Sequence, residues 1–158
     1  MKNGPALKSL LFLCFGLAAC NKSSHVPSAT PVSSISFEAN DSTIAFPVGT
    51  VYIQNVDSTH TTLIEGQYPD SSTKQGSLAI RLIGDTAQRF RGDSLLATYV
   101  DGAGNSFTNT GDSADFVLIS TYPKSYNGVV TGSFALTVTG SAGTIRFSNG
   151  SIVAIFQP

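Results

Sequence analysis

The last third of the chain alternates apolar residues with small or polar ones at a period of two. Phe134, Leu136 and Val138 share one phase, whereas Thr137 and Thr139 share the other. Successive side chains of a strand point to opposite faces of a sheet, so this period predicts a strand with one buried face. No stretch of the chain sustains the 3.6-residue period of a core helix.

The same alternation runs from Ile35 onward in about nine segments separated by turn residues. We therefore expect an all-β domain, built as a single antiparallel β-sandwich or up-and-down β-barrel, and the sequence does not choose between the two. The segment Asp85–Arg91 fits either a helical turn or a loop. Turns are predicted at four places: Asn40–Ser42, the five-residue loop Asp101–Asn105, Gly140–Gly143, and Asn149-Gly150 as a type I′ turn between two strands.

The N-terminal stretch has the layout of a secretory signal. Lys2 and Lys8 form a basic head, and ten largely apolar residues follow from Leu10 to Ala19. A bilayer-spanning helix needs about 20 residues, so this run is too short to be one. The order Leu-Ala-Ala-Cys that ends at Cys20 resembles the lipobox of bacterial lipoproteins, whose cysteine is acylated after the signal is cut. The resemblance implies that residues 1–19 are removed and that a lipid on Cys20 attaches the chain to a membrane.

Three segments follow from this interpretation. Residues 1–19 form the signal peptide, residues 20–34 a lipidated cysteine with a Ser- and Pro-rich flexible tether, and residues 35–158 one antiparallel β domain. Cys14 leaves with the signal, so the mature chain cannot form an internal disulfide. An acylated Cys20 leaves no thiol for catalysis or for a metal ion.

Charge and composition restrict the partners. Two of the nine Lys and Arg leave with the signal, so seven remain against ten Asp and Glu. A mildly acidic chain has no basic footprint for nucleic acid. At 41% hydrophobic and 12% charged residues, the chain is apolar enough to fold.

The motifs Gly132-Ser133-Phe134 and Thr144–Ile152, together with the lipobox, resemble a family of small Bacteroidetes-type lipoproteins of unknown function. Members carry a Gly-Ser/Thr-Phe strand start and an apolar strand ending in Asn-Gly. The resemblance implies a cell-envelope location and an all-β fold, and it transfers no catalytic residue. Surface-exposed lipoproteins of that type often carry acidic residues just after the cysteine. Here Asn21–Ser24 holds none, which favours an outer-membrane protein that faces the periplasm.

One short motif suggests catalysis. Gly92-Asp93-Ser94-Leu95 resembles the nucleophile signature of a family of serine esterases and lipases, which also use an Asp-x-x-His pair such as Asp57 and His60. In that reading Ser94 attacks an ester, His60 takes its proton and Asp57 orients the imidazole. The two motifs stand in the reverse of that family's order, and its helices are not predicted. We therefore interpret the Ser94 motif as a loop entering a strand and keep the hydrolase as an alternative.

Oxygen-bearing side chains in the predicted loops offer a second site hypothesis, in which they hold a calcium ion. They are Asp101, Asn105, Asn109, Asp112 and Asp115. The EF-hand order fails at Ala103 and Ser106, and Asn and Asp also make turns by bonding their own backbone. We expect turn making here, with no metal and no cofactor.

The sequence therefore predicts a lipid-anchored cell-envelope protein that is not an enzyme. Its role is a binding or interaction module for a protein or small-molecule partner that the sequence does not identify. The alternatives are the Ser94 hydrolase and a structural component of an envelope complex, for which an exposed apolar patch is expected.

Overall fold

The computed structural model describes residues 33–56, 59–67 and 76–157, and of residues 48 and 50–59 only the backbone where it is described. Regular structure in these ranges consists of eleven strands and one 3-10 turn, Gly92–Ser94. The strands are β1 (Ser34–Ala39), β2 (Ser42–Phe46), β3 (Val48–Val56), β4 (Thr59–Gln67), β5 (Ser77–Ile83), β6 (Arg89–Phe90), β7 (Leu95–Val100), β8 (Ser106–Asn109), β9 (Phe116–Thr121), β10 (Val129–Gly140) and β11 (Gly143–Phe156). The all-β prediction is confirmed.

The predicted segments differ from these strands in three respects. The signal segment 1–19 and the tether up to residue 32 lie outside the described residues, and β1 begins at Ser34, the last residue of the predicted tether. The strands β2 and β6 were not predicted, because β2 is mostly exposed and β6 has only two residues. The segment Asp85–Arg91, left open between a helical turn and a loop, is a bend that contains β6. In the described ranges, no helix has the length and apolar character needed to cross a membrane.

All eleven strands belong to one curled sheet, in the order β2-β1-β11-β3-β4-β5-β7-β8-β10-β9-β6. The long strands β10 and β11 also pair with each other, from Val129 opposite Ile155 to Gly140 opposite Gly143. The pairings therefore link β3, β4, β5, β7, β8, β10 and β11 in a ring, with β1 and β2 attached to β11 and with β9 and β6 attached to β10. The arrangement combines features of the sandwich and the barrel that the sequence predicted.

One junction of the ring departs from the predicted antiparallel pattern. The end of β11 pairs with β3 in parallel, through Ile155 opposite Thr50 and Phe156 opposite Val51. The preceding part of the same edge of β11 pairs with β1. Along this edge, β11 therefore pairs first with β1 and then, at its end, with β3.

Two of the predicted turns are two-residue hairpin turns. Asn40 and Asp41 have φ values of +48° and +63° between the paired residues Ala39 and Ser42, as a type I′ turn requires. Ser141 and Ala142 connect the paired Gly140 and Gly143.

The predicted turn at Asn149-Gly150 is wrong, because β11 continues through it without reversing. Asn149 has a φ of +52° and forms a β-bulge, where the register with β10 shifts between Phe134 and Leu136. The extra residue changes the phase of the strand, so that Phe147 before it and Ile152 after it are both buried. A turn and a bulge both need a residue that tolerates positive φ, and this is why the dipeptide misled the prediction.

One core fills the curled sheet. Its largest members are aromatic, with the ring centroids of Phe37 and Phe147 4.3 Å apart and Tyr99 edge-on to Phe147 at 5.3 Å. Fully burying one such side chain contributes about 1.5–3 kcal/mol. The core is packed with side chains, so binding surfaces must be sought on the outer face and at the loops.

Candidate functional site

A cleft of about 570 Å³ opens on the outer face of the sheet, where β5, the start of β7 and the end of β8 meet. This volume lies in the range of small-ligand sites. The lining residues are Arg81, Ile83, Gly92, Asp93, Ser94, Leu95, Leu96, Asn109, Thr110 and Gly111. The Ser94 motif singled out in the sequence therefore forms one wall of the cleft.

Two large apolar side chains in the cleft are unusually exposed. Ile83 is 49% exposed and Leu96 is 46% exposed, and among the described residues the other large hydrophobic side chain in this class is Tyr126, which does not line the cleft. Strand alternation explains the exposure, because Leu78, Ile80 and Leu82 occupy the buried phase of β5 and leave Ile83 outside. The cleft therefore presents apolar surface where a solvated strand face normally carries polar residues.

The charged groups of the cleft are Arg81 and Asp93. Arg81 lies directly across the β5–β7 ladder from Leu96 and is exposed. In the part of the chain that the structure describes, neither the Arg81 guanidinium nor the Asp93 carboxylate makes a hydrogen bond or an ion pair. A guanidinium beside apolar side chains suits a ligand that carries both an apolar group and an anionic oxygen.

The side chain of Asn109 closes the gap at the end of β8. Pairing between β7 and β8 is limited to Thr98–Val100, so the first half of β7 extends beyond its neighbour. There, Oδ1 of Asn109 accepts a hydrogen bond from the backbone N–H of Ala97 at 2.8 Å, and Nδ2 donates to the carbonyl of Leu95 at 3.2 Å. The amide group takes the place of a neighbouring strand along this edge.

The hydroxyl of Ser94 is held in its own turn. It donates to the carbonyl of Arg91 at 2.7 Å and accepts from the backbone N–H of Arg91 at 3.1 Å. This reciprocal pair closes the 3-10 turn that leads into β7, as the sequence interpretation of a loop entering a strand expected. Among the described residues, Ser94 makes no hydrogen bond to His60, and Asp57 lies outside them.

The partner of His60 is Asp85. Nδ1 of His60 donates to Oδ2 of Asp85 at 2.6 Å, and Nζ of Lys124 donates to the same oxygen at 2.7 Å. The carboxylate is mostly covered, whereas the side chains of His60 and Lys124 are exposed on the surface. The Lys124 hydrogen bond, followed by that of His60, holds the pKa of Asp85 below its usual value.

Behind this cluster, the buried hydroxyl of Thr62 meets the hydroxyl of the partly buried Tyr122. Thr62 Oγ1 donates to the carbonyl of Gly84 at 2.6 Å, so it accepts from the hydroxyl of Tyr122 at 2.8 Å. Burial raises the pKa of Tyr122, and the nearby Asp85 carboxylate adds to the effect. These contacts join β4 to the segments after β5 and β9, and they leave the Tyr122 proton committed to Thr62.

The first two calcium candidates bond to each other and to their own loop. Asp101 Oδ1 accepts from the backbone N–H groups of Ala103 and Asn105, and Oδ2 accepts from Nδ2 of Asn105. The hydrogen bonds from Asn105, led by its side chain, lower the pKa of Asp101. The predicted five-residue hairpin loop is confirmed, because Val100 pairs with Ser106 across it.

Two more of the five candidates, Asp112 and Asp115, lie in the next loop and have different environments. Asp112 Oδ1 accepts from the N–H of Ala114 in an exposed turn. Asp115 is 2% exposed, and its Oδ1 accepts from the backbone N–H of Thr137 at 2.8 Å. Its Oδ2 has no hydrogen-bond partner among the described residues, and burial raises the pKa of Asp115. Over residues 33–56, 59–67 and 76–157, no three His, Cys, Asp or Glu side chains form a group that could hold a metal ion.

The Ser94 motif, which forms one wall of the cleft, is singled out by the sequence, whereas the exposed apolar side chains of Ile83 and Leu96 are not. The available signal was that Ile83 and Leu96 are large apolar residues in the outward phase of their strands. The partners of His60 gave no such signal, because Asp85 and Lys124 come from loops distant in sequence. Cys20, the predicted lipidation site, lies outside the described residues.

Comparison of the chain with protein-family models, with curated proteins and with solved structures gave no match.

Proposed function

We propose that this chain is a lipid-anchored protein of the cell envelope, attached through Cys20 at the outer membrane and facing the periplasm, and that it acts as a non-enzymatic binding module. Its binding surface is the cleft between β5, β7 and the end of β8. The ligand carries an apolar group that covers Ile83 and Leu96. It also carries an anionic group that reaches Arg81.

The observation that carries the proposal is the exposure of Ile83 and Leu96 within one concave site. Each side chain leaves nearly half of its surface in water. Removing apolar surface from water is worth about 25 cal/mol per Å², so a ligand that covers both gains binding free energy without rearranging the fold. Concavity favours a binding cleft over the flat apolar patch expected of a structural component.

The contacts of the serine and the histidine weigh against the hydrolase alternative. The Ser94 hydroxyl is bonded to Arg91 on both its donor and its acceptor side, and His60 is bonded to Asp85. A serine nucleophile needs a base within about 2.6–3.2 Å. The Ser94→Ala chain and the unsubstituted chain should therefore be indistinguishable in an assay with a short-chain ester.

The cleft can be tested with 8-anilinonaphthalene-1-sulfonate, an apolar dye with one anionic group. We expect its fluorescence to rise on binding the folded chain and to fall back in the Ile83→Ser/Leu96→Ser variant. The matched control is Tyr126→Ser, which removes a side chain that is 71% exposed and lies outside the cleft. Equal dye binding by both variants, or none by the parent chain, contradicts the proposed cleft.

The anchor is tested separately by mass spectrometry of the mature N terminus. We expect a chain that begins at Cys20 and carries acyl groups on it. An unmodified Cys20 contradicts the lipid anchor and leaves the cleft to be judged by dye binding alone.

A further inference from the structure

The edge of β7 that borders the cleft is covered by a side chain and not by a strand. On one side, β7 pairs with β5 along its whole length, from Leu95 opposite Leu82 to Val100 opposite Ser77. On the other side, β8 accompanies only Thr98–Val100. Two backbone groups beyond that pairing, the carbonyl of Leu95 and the N–H of Ala97, bond the amide of Asn109, and the N–H of Leu95 donates to the carbonyl of Gly92.

We propose that the cleft binds an extended peptide segment, which adds as a strand beside Leu95–Ala97 and takes over the two hydrogen bonds of Asn109. A side-chain amide has one carbonyl and one NH₂ group and therefore offers the same acceptor and donor as the peptide units of a strand. Strand addition supplies main-chain hydrogen bonds, and pockets for alternate side chains supply specificity. This inference rests on the proposed function of the cleft and names its ligand class.

The side chains around this edge define the chemistry of the peptide. A residue opposite Leu96 would project to the outer face, beside a side chain that is 46% exposed. An apolar residue at that position covers Leu96 and approaches Ile83. Arg81 lies on β5 directly opposite Leu96 and has no partner among the described residues, so an acidic residue on the peptide is favoured over a basic one.

The probe is a labelled seven-residue peptide, blocked at both ends, in which valine and glutamate stand two residues apart, so that both face outward, with threonine at the positions between them. Its binding to the full-length chain in detergent is followed by fluorescence polarisation. We expect saturable binding that weakens about tenfold when alternate backbone amides of the peptide are N-methylated, because the methyl group replaces the N–H that donates to the Leu95 carbonyl while the side chains remain. Equal binding of the methylated peptide overturns strand addition.

The role of charge is tested by reversing the charge both on the chain and on the peptide. We expect the Arg81→Glu chain to bind the valine–glutamate peptide less tightly and a valine–lysine peptide more tightly than the parent chain does. Arg81 is exposed, so the variant should unfold at the same urea concentration as the parent. An unchanged preference for glutamate in Arg81→Glu overturns the assignment of the acidic side chain.

Hydrogen exchange locates the peptide. In the Asn109→Ala chain, the amide of Ala97 should exchange faster than in the parent and should regain protection when the valine–glutamate peptide is added. Protection elsewhere on the chain, but not at Ala97, overturns the inference.

If no peptide binds while dye binding still depends on Ile83 and Leu96, the ligand is a small amphiphile; the inference then fails and the proposed function stands. Dimerisation of Asn109→Ala in light scattering, without peptide binding, would identify the occupant as a second copy and would also overturn it.

Discussion

Two side chains, Asn109 and Asp115, cover backbone edges where the sheet divides. The amide of Asn109 bonds Leu95 and Ala97 on β7, while the carboxylate of Asp115 bonds the N–H of Thr137 on β10. Thr137 lies between the part of β10 that pairs with β9 and the part that pairs with β8. An uncovered backbone group inside a protein costs about as much as a lost hydrogen bond, so these two residues allow β8 and β9 to separate.

Both residues are among the oxygen ligands that the sequence predicts for a calcium ion. That hypothesis selected side chains that carry oxygen atoms and lie near loops. A side chain that bonds the uncovered backbone at the end of a strand needs the same two properties. Their actual partners, on β7 and β10, lie more than ten residues away along the chain and carry no local signal. The sequence therefore predicts that polar side chains with oxygen atoms are needed here, but it does not predict the backbone groups that they bond.

Asp115 predicts a specific response of stability to pH. Because its pKa is raised in the folded state, the folded chain binds more protons than the unfolded chain between pH 3.8 and the raised pKa. The contribution of Asp115 to stability therefore falls as the pH rises through that interval. We expect Asp115→Asn, which keeps an acceptor for Thr137 and loses the charge, to be at least as stable as the parent at pH 7. Its advantage should shrink toward pH 4, as measured by urea unfolding.

Asp115→Ala is the matched variant, because it removes the charge and the acceptor together. It leaves the N–H of Thr137 without a partner and should cost about 1–3 kcal/mol at pH 7. Equal losses in Asp115→Asn and Asp115→Ala would show that the charge, and not the acceptor, holds this end of β10.

At the scale of elements, β11 shows which signals the sequence contains. Ile145 and Phe147 occupy odd positions, whereas Ile152, Ala154 and Phe156 occupy even ones. This change of phase requires a break between residues 147 and 152, and the alternation locates it correctly. Either a turn or a bulge can produce this change of phase. The structure has a bulge because β1 and β10 pair with β11 on both sides of the strand, before and after the break.

The bulge gives a prediction about Asn149. A β-branched side chain at a φ of +52° is strained, so Asn149→Val should lose about 1–2 kcal/mol of unfolding free energy. Asn149→Gly also removes the exposed hydrogen bond to Glu38 but accepts the backbone conformation, so it should stay near the parent. Urea unfolding measures both, and a loss in Asn149→Gly equal to that in Asn149→Val would refute the role of the positive φ.

The connections after β5 and β9 are joined to β4 by Asp85, the shared acceptor of His60 and Lys124. Because the pKa of Asp85 is lowered in the folded state, its stabilisation is present above pH 3.8 and is lost as pH falls below that value through the folded pKa. Both partners of Asp85 are exposed, so we expect Asp85→Asn to cost less than about 1 kcal/mol at pH 7. The loss should shrink as the pH falls below 3.8, as measured by urea unfolding at a series of pH values.

Asp93→Asn is the control for this series. Asp93 is exposed and has no partner among the described residues, so its substitution should leave the acid limb of the stability curve unchanged. Identical curves for Asp85→Asn and Asp93→Asn would contradict a stabilising role for the His60–Asp85–Lys124 cluster.

At the scale of the whole molecule, alternation predicts an all-β chain with one core, and the structure agrees. It could not predict the ring of pairings, because the parallel contact between β3 and β11 joins residues about a hundred positions apart through only two residue pairs. The cleft follows from that global arrangement, since it forms where β8 ends beside β7, which separates β8 from β5 in the sheet. The sequence contains the residues that line the cleft, but it does not show that they form a concave surface.

Photo-crosslinking in cells that produce the full-length chain tests the central claim, that the cleft is where this protein binds its partner. A photoreactive phenylalanine derivative is placed at Leu96 in one chain and at Tyr126 in another, since both positions are exposed and only Leu96 lies in the cleft. The account predicts a discrete adduct from position 96 that is absent from position 126 and is lost when Ile83→Ser is added. The same adducts from both positions, or an adduct from position 126 alone, would contradict it.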